Sequence, residues 1–131
     1  MENKRDGQLD DRTAGAKDSG VTPSLAMGAR DFARESAQAL SRIEQGIIDA
    51  DIEADAYFVS EGVLEVEFED GGKMIVNRHD VSREIWVAGR SGAYHFFWND
   101  SGWVDTRSGE ALMAVVSSLA SQMAGRPVRL A

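Results

Sequence analysis

The sequence predicts an α+β fold: a two-layer α/β sandwich in which N- and C-terminal helices pack on one face of an antiparallel sheet of five to six strands. Three observations point there. Apolar residues recur at helical spacing near both ends, the stretch between them alternates with a period of two, and Gly-, Asn-, Asp- and Ser-rich turns cut that stretch into short pieces. At 131 residues the chain has the size of one domain with a core that needs no staples.

Residues 1–23 are polar and mixed in charge, with Gly7, Gly15 and Gly20 among scattered apolar side chains. They bury too little surface to offset ordering entropy and read as a flexible tail ahead of a domain over 24–131. From Ser24 to about Ala50, Leu25, Phe32, Leu40, Ile43 and Ile47 mark one face of a first amphipathic helix. Leu64, Val66 and Phe68 then alternate with Glu65, Glu67 and Glu69, a strand with one buried and one anionic face. Asp70-Gly71-Gly72 turns it into a second strand over Lys73–Arg78, and Lys73 is placed to offset the glutamate stripe. Further strands are expected at Ala56–Val59, Glu84–Ala88, Ala93–Trp98 and Trp103–Asp105. Leu112, Val115, Val116, Leu119 and Met123 define the second helix, with Ser108 as its expected N-cap, Glu110 in its first turn and Gly125 at its stop.

Composition excludes several functions. The chain has no cysteine, hence no disulfide, thiolate ligand or cysteine nucleophile, and any metal must meet oxygen or one of two histidines. A net charge of −8 opposes binding to nucleic acid. No apolar run approaches the ~20 residues of a membrane helix, and the N-terminus lacks a secretory layout, so a cytoplasmic protein without a membrane partner is expected. No phosphate loop or Gly-x-Ser-x-Gly elbow is present, and His79 and His95 have no carboxylate at triad or zinc spacing. These features describe a binding protein, not an enzyme.

Charge is unevenly spread. Residues 31–70 hold twelve carboxylates against Arg34 and Arg42, whereas residues 71–131 carry five acids and seven bases. Glu44, Asp49, Asp51, Glu53 and Asp55 fall within one twelve-residue window. Such a cluster either collects cations that accept carboxylate oxygen, such as Fe²⁺, Fe³⁺, Mn²⁺ and Ca²⁺, or is a solvated face that keeps the chain soluble. In the first case binding is weak and poorly selective, because exposed carboxylates keep their water. If Ile85 and Val87 face the core, Trp86 points outward as an anchor for a partner, with Asn77 on the same face; in the opposite phase Trp86 is core. Trp98, Trp103, Phe96 and Phe97 read as core and rim.

Over residues 30–130 the order of pieces resembles the frataxin family in its bacterial CyaY-type form. The resemblance rests on Gly62-Val63-Leu64, Gly72-Lys73-Met74-Ile75-Val76-Asn77-Arg78, Ile85-Trp86-Val87, Gly92-Ala93-Tyr94-His95-Phe96, Asp105-Thr106-Arg107-Ser108-Gly109 and Gln122-Met123-Ala124-Gly125. It implies weak iron binding along an acidic ridge of the first helix and first strand, here Asp31, Glu44, Asp49, Asp51, Glu53 and Asp55. It also implies docking to the cysteine desulfurase and scaffold protein of iron–sulfur cluster assembly, through the ridge and through Asn77 and Trp86, with Glu65 and Glu67 extending the anionic surface. A monomer that metal drives into oligomers fits the same picture.

The chain departs from the family pattern in places. Ala56-Tyr57-Phe58-Val59-Ser60-Glu61 replaces alternating acids of the first strand, and Gln45, Gly46 and Ile48 stand where relatives are commonly charged. Glu65, Glu67 and Glu69 stand where relatives tend to carry threonine. Three functions therefore compete: an iron-dependent modulator of cluster assembly that is also an iron donor, an oligomeric iron store with ferroxidase activity, and a metal-independent acidic adaptor. The lack of clustered histidine weighs against the ferroxidase.

Overall fold

The computed structural model describes residues 27–130. Helix α1 (Ala29–Asp49) leads into strands β1 (Ala54–Ser60), β2 (Val63–Phe68), β3 (Lys73–His79), β4 (Glu84–Gly89), β5 (Gly92–Trp98) and β6 (Trp103–Asp105), and helix α2 (Leu112–Ala124) follows. The six strands form an antiparallel meander in sequence order. This is the α+β sandwich expected from the sequence. The anticipated tail over 1–23 and the expected helix start at Ser24 lie outside the described residues; of the described ones, Met27 and Gly28 are not helical, and the extended Gly28 is the N-cap of a helix that begins at Ala29.

Period-two alternation determines the two faces of the sheet. Leu64, Val66, Phe68, Met74, Val76, Ile85, Val87 and Phe96 are buried on one side. There they meet Phe32, Leu40, Ile43 and Ile47 of α1 and Leu112, Val115, Val116, Leu119 and Met123 of α2 in one core. Trp103 closes its end, edge-on to Phe32 at 6.0 Å between ring centroids.

The end of α2 follows the expected chemistry: Gly125 takes a left-handed backbone, φ 72°, and donates its N–H to the Ser121 carbonyl. Its start does not. Ser108 is not the cap; Ala111 holds that position without a side-chain hydrogen bond, and Glu110 precedes the helix. The reason is Asp105, a buried carboxylate at the end of β6. It accepts the Ser108 hydroxyl at 3.0 Å and the Arg107 N–H at 3.0 Å, so Ser108 is spent on a loop. The chain turns over residues 106–108, Gly109 takes a left-handed backbone with φ 75°, and Ala111 then bridges back to Val104.

Beyond α2 the chain folds back onto α1. Ser121 Oγ accepts the Val128 N–H, and Ser117 Oγ accepts the Leu130 N–H. Leu130 is thereby buried against Gly46, where an added Cβ would stand 3.1 Å from a Leu130 methyl. A glycine inside a helix costs about 1 kcal/mol relative to alanine, and here it makes room for Leu130.

Candidate metal and partner surface

The six ridge residues do not form one cluster. Asp31 lies in the first turn of α1, where the helix dipole favours an acid, and pairs with Arg34 at 3.0 Å. At 1.5 Å per residue it is roughly 27 Å along the axis from Asp49. Glu44 is half-buried on α1, and Asp49, five residues on, points roughly 140° around the helix from it. Asp49 accepts a hydrogen bond from the Gln45 amide at 2.9 Å.

Asp49, Asp51, Glu53 and Asp55 are brought to one end of the molecule by the loop from α1 to β1, and all are exposed. Asp51 has a structural part in that loop: its backbone is left-handed, φ 56°, a conformation aspartate tolerates better than most side chains. Among the described residues no three acids or histidines converge on a common point. The donor set is all carboxylate, exposed and free of a cage, which suits hydrated cations held loosely.

The register joins this end of the ridge to the sheet. Asp55 pairs across the ladder with Glu67, and Glu67 with Lys73. The acidic surface therefore turns from the helix end onto the outer face of β2. Glu65 is tied down within it: half-buried, it accepts the Tyr57 hydroxyl at 3.1 Å and the Lys73 ammonium at 3.4 Å. The hydrogen bond to Glu65 raises the Tyr57 pKa, and the Glu65 charge raises that of Lys73. Lys73 thus offsets part of the stripe, as the sequence suggested, and Glu67 and Glu69 remain exposed.

The other part of the surface is built around Trp86. Ile85 and Val87 are fully buried, so alternation sends the indole to the outer face, where it is half-buried. Asn77 lies directly opposite it on β3 and donates its amide to the Arg78 carbonyl at 3.2 Å. Two histidines hold the ring. His79 stacks at 4.0 Å between centroids and 4° from parallel, and His95, opposite on β5, at 4.2 Å and 12°. The indole N–H donates to Glu84 Oε1 at 2.8 Å, and the same oxygen accepts the Ser82 hydroxyl, which lies 2.9 Å from His79 Nδ1. One rotamer is therefore fixed before any partner arrives, so little side-chain entropy remains to be lost on contact.

His79, His95 and Glu84 were not grouped with Trp86 by sequence reasoning. A signal existed: the Arg90-Ser91 turn pairs Gly89 with Gly92, and counting back from it puts His95 opposite Trp86.

Comparison with known proteins agrees with the fold. Residues 26–126 match the family model described as a frataxin-like domain. The chain is 44% identical over 104 residues to the iron-sulfur cluster assembly protein CyaY of Dechloromonas aromatica, covering 79% of this chain and 99% of that protein. Among solved structures it is similar to the frataxin of Psychromonas ingrahamii, with a TM-score of 0.72 at 25% identity over 79% of this chain and 97% of that one. A trimeric frataxin of Saccharomyces cerevisiae, solved in a ferrous complex, shares the fold at a TM-score of 0.51 and 23% identity, covering 75% of this chain and 86% of that one. The chain belongs to the frataxin family, in the branch of the iron-sulfur cluster assembly proteins called CyaY.

Proposed function

We propose that this protein modulates iron–sulfur cluster assembly in response to iron, docking on the cysteine desulfurase and scaffold through its acidic ridge and its Trp86 face. The observation that carries this reading is the register pair Asp55 and Glu67, which makes one anionic surface of the helix end and the sheet. Family membership supports the assembly role, and the ferrous complex of the yeast relative supports iron as the ion.

The mechanism is electrostatic. Asp49, Asp51, Glu53, Asp55 and Glu67 attract a basic partner surface and orient it over a Debye length, about 8 Å at physiological salt. Trp86, already clamped by His79 and His95, supplies the desolvated contact, with the Asn77 amide beside it. Fe²⁺ held loosely by the ridge lowers its charge and so changes affinity for the partner; by linkage the partner changes affinity for iron by the same factor.

The test is an anaerobic Fe²⁺ titration followed by two-dimensional NMR, paired with desulfurase binding by a variant neutralised at Glu44, Asp49, Asp51 and Asp55. Broadening confined to residues 44–55 and 65–69, with loss of binding in the variant, is the expected result. Unchanged desulfurase binding by the variant would overturn the ridge as the docking surface. A metal-independent adaptor is the second reading, favoured by the absence of converging ligands among the described residues. It predicts partner binding that iron does not alter.

A further inference from the structure

β1 is one of the two terminal strands of the sheet, and its C-terminal half is largely apolar: Tyr57 is 37% exposed, Phe58 40% and Val59 50%. Backbone alternation shows what the strand offers. The Phe68 N–H donates to the Gly72 carbonyl and the Arg78 N–H to the Gly62 carbonyl. Even-numbered residues of β2 therefore aim their peptide groups at β3, and Glu65 and Glu67 aim theirs at β1. Their partners Tyr57 and Asp55 are used up in that ladder, which leaves Ala56 and Phe58 with N–H and C=O directed to the open edge.

Beside this edge runs a groove of about 280 Å³ between α1 and β1, lined by Ser36, Ala37, Leu40, Phe58 and Val59. Edge strands are ordinarily protected by lysine, proline or a covering element, and residues 56–60 contain no charge and no proline. Acids bracket the segment, Glu53 and Asp55 before it and Glu61 after it. A second copy would set acid against acid in a chain of net charge −8.

We propose that the β1 edge accepts an extended partner segment as an added strand, one whose apolar residues are flanked by lysine or arginine at both ends. Its backbone pairs with Ala56 and Phe58, its core-side residues enter the groove against Leu40, and its basic ends meet Glu53, Asp55 and Glu61. This site is separate from the Trp86 face; it needs no iron, and because it shares Glu53 and Asp55 with the ridge, a cation bound there would weaken the contact with the basic end.

The experiment uses the full chain and a fluorescein-labelled peptide of alternating valine and threonine bracketed by lysine pairs, followed by anisotropy and two-dimensional NMR. Binding is expected, with amide shifts centred on Ala56 and Phe58, and a glutamate-bracketed peptide should not bind. Ala56→Pro removes only an outward N–H, and Phe58→Lys places a charge on the edge; each should weaken binding by about tenfold or more. With a native-like NMR spectrum retained by either variant, binding unaffected by it would overturn the proposal in favour of simple adsorption on the ridge. No peptide binding, or self-association of the chain through β1 that Phe58→Lys abolishes, would also overturn it.

Discussion

The Trp86 indole lies on the His95 imidazole, directly across the β4–β5 ladder, with ring centroids 4.2 Å apart. Stacked pairs of this kind contribute about 0.5–1.5 kcal/mol beyond the area they bury. His95→Ala is therefore expected to lower unfolding free energy in urea by about 1 kcal/mol. A double-mutant cycle with Trp86→Ala should show coupling of similar size; additive losses would mean that the two rings do not support each other.

The contact between Gly46 and Leu130 gives a prediction of sign. Leu130→Ala should cost about 2–5 kcal/mol, as for other buried leucines. Gly46→Ala in the parent chain should change stability little, because the helix gains about 1 kcal/mol while the new methyl crowds Leu130. In the Leu130→Ala background the methyl at 3.1 Å is removed while the Cβ at 3.2 Å stays, so the crowding is reduced and the same substitution should be more favourable than in the parent, by up to about 1 kcal/mol. Thermal melts of the four proteins test this.

Acid should act through Asp70. Its carboxylate accepts the Gly72 N–H at 2.8 Å and pairs with Arg90 at 2.6 Å, and these contacts hold its pKa below the ordinary 3.8. Because the folded value is the lower one, the stabilisation is complete above the unfolded value and is lost as pH falls through the folded one. The melting-temperature gap between the parent and Asp70→Asn should be open at neutral pH and close below pH 3.8.

Asp55 and Glu67 face each other as like charges. Asp55→Asn is expected to stabilise the apo-protein by roughly 0.2–1 kcal/mol in low salt. The gain should shrink as salt or a divalent cation screens the pair, which denaturation with and without Ca²⁺ would measure.

What the sequence made legible follows from period and punctuation. The strand at Trp103–Asp105 could be read because alternation is local, whereas alternation alone leaves the phase of Trp86 open between outward and core, and only the burial of Ile85 and Val87 in the structure decides it. The Ser108 cap was misread because Asp105, three residues earlier, competes for its hydroxyl, and nothing in the spacing reveals which partner wins. Gly46 looked like a missing ridge charge; its reason is Leu130, far along the chain. The spread of the ridge was likewise hidden, since closeness in sequence does not reveal the helical angle between Glu44 and Asp49.

The meander has a kinetic consequence. Each strand pairs with its sequence neighbour, so the sheet can grow hairpin by hairpin with short loops to close. Seating Leu130 against Gly46 instead joins distant parts of the chain and suits a step after the rate-limiting barrier. Weakening that contact would then leave the folding rate nearly unchanged and show up as faster unfolding, so the closing segment governs how long the native state lasts more than how quickly it forms.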